Sequence, residues 1–280
     1  MTAVPTSTVV PGSGQLAAHE VTAGYRRQVV LDRVSLCIDR GEAVGLRGPS
    51  GGGKSTLVRV LALLHRPDGG RVTVDGTPVT ATRYAVPVAV RTRIAVLFQS
   101  PRAAADPRLS LTDLIAEPLR ATRHPADEIR HRVAELADLV GLTPDLLGRR
   151  PHAVSDGQLQ RACLARALVH RPDYLLCDEA TAMLDASTQA HVAAVIRDYQ
   201  HEHRAGVLLV THDPALMSRW ADRVVELPAA AAPEADAAGT SSGTGTSSGA
   251  GTSSGAGTSS GAGTSSGVDR RVEGGVPGRS

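Results

Sequence analysis

The 280-residue sequence predicts an α/β fold built around a parallel sheet. Short apolar segments alternate along the chain with longer segments whose apolar residues recur at helical spacing, a pattern typical of strands joined by helices. A glycine-rich run at 48–56 lies between one such strand and one such helix. Hydrophobic residues make up 41% of the chain but aromatic residues only 2%, so aliphatic side chains must fill the core.

The elements can be assigned in order along the chain. The predicted strands are 19–23, 34–38, 43–47, 71–75, 93–98, 174–178, 206–211 and 223–227. The predicted helices are 54–65, 111–119, 127–140, 157–170 and 187–203. The interval 101–149 has helical patterns and lacks strand patterns, so we expect a helical subdomain, about 101–170, inserted into the α/β core.

Both ends of the chain differ from this interior. Residues 229–280 contain the repeated sequence G-T-S-S-G-x, which offers no apolar side chains for a core, and residues 1–15 are similarly poor in pattern. We therefore predict one folded domain at 16–228 between a disordered N-terminus, 1–15, and a disordered tail, 229–280.

Charge and cysteine content exclude several classes of protein. The net charge of +2 argues against a dedicated nucleic-acid-binding protein, which usually has a strong basic excess. Cys37, Cys163 and Cys177 lack metal-ligand spacing and are interpreted as small buried hydrophobes in a reducing compartment. No secretory signal pattern or apolar stretch of membrane-spanning length is present, so we expect a cytosolic chain unless a partner holds it at a membrane.

The glycine-rich run GPSGGGKST fits the pattern G-x-x-x-x-G-K-[ST], the P-loop that wraps nucleotide phosphates. Lys54 is the only lysine in a chain whose other basic Lys+Arg residues are all arginine, and it occupies the position where a compact ammonium must reach the β- and γ-phosphates. The backbone of Gly51, Gly52 and Gly53 can close around the phosphates. The hydroxyl of Ser55 is expected to bind Mg²⁺.

A second motif, YLLCDE at 174–179, is an apolar strand that ends in two carboxylates. Asp178 is predicted to hold Mg²⁺ and Glu179 to orient or deprotonate the attacking water. An ordinary buried strand followed by a solvated acidic turn would give the same letters. The P-loop upstream favours the catalytic interpretation.

A third motif, PHAVSDGQLQR at 151–161, resembles the LSGGQ signature of ATP-binding-cassette (ABC) ATPases. Four more segments resemble elements of that family: Tyr25 the aromatic that stacks on adenine, Gln99 the Q-loop, Leu184-Asp185 the D-loop, and His212 the switch histidine. The resemblance covers about 16–228. It implies a P-loop NTPase ABC cassette, in which a RecA-like parallel-sheet core carries an N-terminal antiparallel β-subdomain and an inserted helical subdomain.

Motifs and resemblance together assign three sets of site residues. Catalytic roles are expected for Glu179, His212, Lys54 and Gln99, and Mg²⁺ contacts for Ser55, Gln99 and Asp178. Contacts to ATP are expected for Tyr25, Gly48, Pro49, Ser50, Gly51, Gly52, Gly53, Lys54, Ser55, Thr56, Ser155, Gly157, Gln158 and Asp185. In this family, two cassettes face head-to-tail, so Ser155 and Gly157 are expected to reach the ATP on a second cassette.

The signature departs from the family pattern at one position, because Asp156 stands where these ATPases usually have glycine. Asp156 lies at a predicted helix start, where a carboxylate is favourable. It also brings negative charge towards a phosphate, so we expect an active site with altered ATP-dependent dimerisation.

Within the family, ADPRLSLTDLIAEPLRA at 105–121 resembles the segment after the Q-loop in the peptide and nickel import group. That resemblance implies an ATPase on the inner face of the cell membrane, working with a second cassette, with membrane permeases and indirectly with a solute-binding protein. A soluble accessory ATPase, such as one of carbon–phosphorus lyase metabolism, is the alternative. The sequence of this subunit leaves cargo, homo- or heterodimer formation and the role of the tail open.

Overall fold

The computed structural model of the chain describes residues 14–26, 28–180 and 184–228. Most of both segments that were predicted to be disordered, residues 1–13 and 229–280, lies outside the described residues, as do residues 181–183. The first strand begins at Gln15, inside the predicted N-terminal segment. Its side chain is buried and Nε2 donates to Asp39 Oδ1 at 2.8 Å, so Gln15 belongs to the fold and not to the predicted disordered segment.

The described residues form strands and helices that alternate along most of the chain. The strands are β1 (Gln15–Tyr25), β2 (Gln28–Asp39), β3 (Ala43–Arg47), β4 (Gly69–Val74), β5 (Thr77–Val79), β6 (Ile94–Leu97), β7 (Tyr174–Asp178), β8 (Gly206–Val210) and β9 (Arg223–Glu226). The helices are α1 (Lys54–Leu61), α2 (Val88–Arg91), α3 (Pro101–Ala104), α4 (Leu111–Ala121), α5 (Ala126–Leu139), α6 (Pro144–Leu147), α7 (Asp156–Leu168), α8 (Ala186–His203) and α9 (Pro214–Trp220).

Two sheets organise these elements. An antiparallel sheet has the strand order β2-β1-β4-β5, and a parallel sheet has the order β6-β7-β8-β3-β9. Helices α3 to α7 follow β6, and α7 leads into β7, so they form a helical insertion between two strands of the parallel sheet. Because all strands of the second sheet run the same way, the carboxyl ends of β3, β7 and β8 meet at one edge, where α/β proteins bind ligands.

The parallel sheet is buried on both faces, and side-chain alternation divides its residues between two cores. Leu175 and Cys177 of β7 point to a core shared with the helical insertion. Tyr174 and Leu176 of the same strand point to a core shared with α1 and the antiparallel sheet. The parallel sheet therefore packs against the helical insertion on one face and against α1 and the antiparallel sheet on the other.

The structure differs from the predicted elements at places where turns and helix caps set the ends of an element. The β4–β5 hairpin was missed, although Asp75-Gly76 in left-handed conformations is a strong two-residue hairpin signal. Helix α1 ends at Leu61, earlier than predicted, because Leu63 adopts φ +59° and turns its buried side chain back into the core. Helix α9 was also missed, although Asp213 caps it and proline follows at its first position.

Candidate functional site

The P-loop lies between the end of β3 and the start of α1. Gly53 adopts φ +90°, a conformation that favours glycine, and a Cβ added there would also crowd Val30 and Leu31. Lys54 is 6% exposed, and its Nζ donates to the carbonyls of Gly48 at 3.0 Å and Pro49 at 2.9 Å. The loop thus closes around its own lysine, whose ammonium is held at the place where phosphates would enter.

Ser55 and Asp178 face each other across the sheet edge. Ser55 Oγ donates to Asp178 Oδ1 at 3.1 Å, joining the start of α1 to the end of β7. Burial raises the pKa of the Asp178 carboxyl, and the hydrogen bond from Ser55 only partly opposes that rise. A buried carboxylate beside a hydroxyl is an oxygen-rich pair that suits a hard divalent cation.

Glu179 contacts two side chains that follow the neighbouring strands β6 and β8. Gln99 Nε2 donates to Glu179 Oε2 at 2.9 Å, and His212 Nε2 lies 2.9 Å from Glu179 Oε1. Glu179 adopts φ +50°, which turns the chain away from β7, and its N–H donates to Val210 O at 2.9 Å. Glu179 is the first residue after β7, Gln99 the second after β6 and His212 the second after β8. The ends of these three strands therefore supply one cluster of catalytic side-chain types.

This cluster adjoins the P-loop. Lys54 and His212 line one cavity of about 140 Å³, together with residues at the ends of β3 and β9. The structure therefore brings together six of the sequence-predicted residues: Lys54, Ser55, Gln99, Asp178, Glu179 and His212.

Tyr25 lies apart from that cluster, at the end of β1. Its side chain is partly exposed, its ring centroid is 4.8 Å from that of His65, and its hydroxyl accepts a long hydrogen bond of 3.4 Å from Arg59. An exposed ring near the end of α1 can stack on a planar base.

The signature residues form a second group at the start of α7. Ser155 caps this helix: its Oγ accepts from the N–H of Gln158 at 3.2 Å, and Gln158 Oε1 accepts from the N–H of Ser155 at 2.9 Å. Gly157 lies against α8, where an added Cβ would come within 3.0 Å of Thr188 Cγ2. Thr188 in turn donates its hydroxyl to Asp185 at 2.8 Å, so the signature and the D-loop aspartate are packed together.

Within the described parts of the chain, no hydrogen bond or ion pair joins residues 155–158 to the P-loop. The P-loop cluster and the signature group are thus held by separate contacts.

Two residues with site contacts were given no role from the sequence, although Gln160 lies inside the 151–161 motif. Arg102 of α3 makes an ion pair with Asp156, with Nη2 2.6 Å from Oδ1. Gln160 of α7 is fully buried and donates to carbonyls on either side of the Gln99–Glu179 pair. A polar residue in the apolar stripe of α7 was a signal for Gln160, whereas nothing near Arg102 in sequence indicated its partner.

Comparisons with known proteins show the family of the chain. Residues 31–182 match the family described as ABC transporter. The nickel import ATP-binding protein NikE of Brucella suis biovar 1 is 40% identical over 208 residues, covering 74% of this chain and 78% of that protein. The oligopeptide transport ATP-binding protein OppF of Escherichia coli K12 is 38% identical over 198 residues, covering 70% and 59% of the two chains.

A solved dimeric structure of the ATP-binding cassette MJ0796 in a post-hydrolysis state, bound to ADP and Pi, is also similar. It superposes with a TM-score of 0.68 at 28% identity, covering 76% of this chain and 94% of that one. The family match spans the P-loop, the signature and the Asp178–Glu179 pair. The chain therefore belongs to the ABC transporter family, in which it is an ATPase cassette.

Proposed function

We propose that this cassette hydrolyses Mg-ATP in a head-to-tail cassette dimer and thereby drives solute import through separate membrane permeases. The observation that carries the catalytic part is the contact of Glu179 with both Gln99 and His212, beside Lys54. The import part is supported by relatives named for nickel import and oligopeptide transport. Nothing among those relatives favours the soluble accessory role.

The residues present fit Mg²⁺ and ATP. Asp178 and Ser55 would hold the cation, which suits the buried, acidic oxygen pair, and when bound it would neutralise phosphate charge. Lys54 would exchange its two carbonyl partners for phosphate oxygens, and Tyr25 would stack on the base. Glu179 would accept a proton from the attacking water, with Gln99 and His212 fixing its carboxylate.

The division between P-loop cluster and signature group supports the dimer. Ser155 and Gly157 would complete the ATP site of a second cassette, as the resemblance implies, and the similar MJ0796 structures are described as dimeric. Whether the second cassette is a copy of this chain or a related subunit is a question for co-purification.

Substitution of Glu179 by Gln tests the catalytic assignment. Turnover should fall about 10²- to 10⁴-fold, the range for a positioned base, while ATP binding is retained. Glu202→Gln, on the exposed end of α8, is the matched control and should leave both quantities unchanged. Full turnover in Glu179→Gln would remove Glu179 from the mechanism.

A groove beside Gln99 is the place where we expect a permease segment to dock. It has a volume of about 300 Å³, lies between β6, α4 and α7, and is lined mainly by apolar side chains, among them Phe98, Ala104, Pro118, Ala121 and Cys163. We propose that a permease segment in this groove holds the cassette at the inner face of the membrane. No helix of the described chain has the length and apolar character needed to cross a bilayer.

The variant Ala121→Arg tests this docking, since it places a charge in the groove. It should abolish stimulation of ATP turnover by the reconstituted permeases and cargo-loaded binding protein, while the isolated cassette keeps its basal turnover. Leu139→Arg, at an exposed site on α5, is the control and should preserve stimulation. Nickel and peptides offered as alternative cargoes in the same assay would separate the two import types, and failure of both would contradict the import assignment.

A further inference from the structure

Gln160 is a buried polar side chain inside the 151–161 motif to which the sequence assigned no role. It lies on α7, among the buried apolar residues Leu159, Cys163 and Leu164, and is 0% exposed. Its Nε2 donates to Ala180 O at 2.7 Å and to Phe98 O at 3.3 Å. Both acceptors are carbonyls, so the amide orientation is fixed: exchanging its nitrogen and oxygen would set oxygen against oxygen.

Packing alone does not account for an amide at this position. Among the described residues, Gln160 Oε1 has no hydrogen-bond partner, and a buried polar atom without one costs free energy. Leucine or methionine would fill the same space without that cost. The two carbonyl contacts are what glutamine adds.

Those two carbonyls flank the catalytic pair. Phe98 immediately precedes Gln99, and Ala180 immediately follows Glu179, while the side chains of Gln99 and Glu179 meet at 2.9 Å. One amide group therefore ties together the two backbone segments that carry this contact. The same helix begins at the signature cap, Ser155, so Gln160 also connects the signature to both segments.

We propose that Gln160 is a positioning residue that holds Glu179 in register with Gln99 and transmits the position of α7 to both. The proposal rests on the catalytic role proposed above for Glu179. Its physical basis is that a displacement of a catalytic group by about 1 Å can cost about 10²-fold in rate.

The variant Gln160→Met tests the proposal, because methionine has a similar length and shape but donates no hydrogen bond. The matched control is Gln200→Met on α8. Gln200 is also buried, its Nε2 donates to Gly41 O at 3.0 Å, and its Oε1 accepts from Trp220 at 2.8 Å, remote from the catalytic cluster. We expect kcat of Gln160→Met to fall about 10- to 100-fold with ATP affinity within about twofold of wild type. Gln200→Met should lose thermal stability while keeping kcat.

A double-variant cycle separates positioning from general weakening of the fold. In single-turnover measurements with Mg-ATP, Gln160→Met should slow hydrolysis strongly in the wild-type background and hardly at all in the Glu179→Gln background, because it acts through Glu179. Equal slowing in both backgrounds would overturn the proposal. If Gln160→Met does not fold, Gln160→Asn keeps the amide but is too short to reach both carbonyls, and it carries the same expectation.

The outcomes distinguish this proposal from the one on which it rests. If Glu179→Gln loses turnover while the Gln160 variants keep their kcat, the positioning role is wrong and the catalytic assignment stands. If Glu179→Gln keeps turnover, the catalytic assignment itself fails. A parallel loss of kcat in the Gln160 and Gln200 variants would assign the effect to stability.

Discussion

The ion pair between Arg102 and Asp156 leads to the sharpest prediction about the signature. Asp156 stands where the resembling ATPases usually have glycine, and Arg102 Nη2 lies 2.6 Å from its carboxylate. Arg102 also donates to Pro151 O at 3.0 Å and to Val154 O at 3.1 Å, so it braces the loop that leads into α7. The charge that Asp156 brings towards a phosphate is thus compensated within this chain, a compensation the sequence did not reveal.

The structure sets the size of the effect on folding. The two side chains are 48% and 51% exposed, so water screens the pair, and such pairs contribute about 0.2–1 kcal/mol. Each hydrogen bond from the guanidinium to a loop carbonyl adds about 0.5–1.5 kcal/mol. We therefore expect Arg102→Ala to lower the free energy of unfolding by about 1–4 kcal/mol, with the ion-pair part fading at high salt.

The larger consequence concerns ATP-dependent dimerisation. Arg102→Ala would leave Asp156 uncompensated, and at an assumed separation of about 10 Å in water one carboxylate and one phosphate charge repel by about 0.4 kcal/mol. A dimer contains two such sites, so its dissociation constant should rise about fourfold. Because Asp156→Gly removes the repelling charge, the double variant should regain much of the lost affinity.

Dimer formation is measured in the Glu179→Gln background by analytical ultracentrifugation with ATP. The control is Arg120→Ala, which breaks a comparable pair with Asp113, 2.8 Å apart with side chains 52% and 40% exposed, away from the signature. Unchanged dimerisation of Arg102→Ala, or an equal change in Arg120→Ala, would refute the compensation argument. So would a double variant no better than Arg102→Ala alone.

Three further variants or measurements probe the site and the fold. Tyr25→Ala should weaken ATP binding by about 1–3 kcal/mol through lost base stacking, whereas Tyr25→Phe should not, and equal affinities of the two variants would exclude stacking. Burial raises the pKa of Asp75, but hydrogen bonds from Arg93 and Tyr174 outweigh it and leave that pKa below its ordinary value. The stabilisation from a lowered carboxyl pKa is present above the unfolded-state pKa and disappears as pH falls through the folded-state pKa. In denaturant titrations, the free energy of unfolding of Asp75→Asn should therefore fall less steeply with decreasing pH below about pH 4 than that of the wild type. Because Lys54 is buried and donates to two carbonyls, an amine reagent should modify the N-terminal amine faster than Lys54 even without ATP, and rapid labelling of Lys54 in a peptide map would contradict this burial.

Much of the architecture could be predicted because the hydrophobic pattern of a strand or helix is a property of residues that are close in the sequence. The apolar runs at 43–47 and 174–178 became β3 and β7 with their predicted bounds, since buried parallel strands must be continuously apolar. The missed elements are short: β5 has three residues, α2, α3 and α6 have four each, and α9 has seven, too few to produce a clear helical or strand periodicity.

The candidate site was predictable to a similar extent and for a similar reason. Lys54, Ser55, Asp178 and Glu179 lie in contiguous motifs whose chemistry is legible from residue order. Their contacts with one another, such as the 2.9 Å approach of Gln99 to Glu179, depend on which strands are neighbours in the sheet. The roles of these residues in catalysis stay predictions for the variants above.

The sequence by itself determined an α/β protein with a P-loop, because glycine spacing and strand hydrophobicity are properties of adjacent residues, and its motifs carried the resemblance to ABC cassettes. Only the tertiary structure decided that Arg102 neutralises Asp156 and that Gln160 joins the segments of Gln99 and Glu179. These partners are tens of residues apart and meet because of the strand order and the helix packing. Neither the strand order nor the packing produces a recognisable pattern in the sequence.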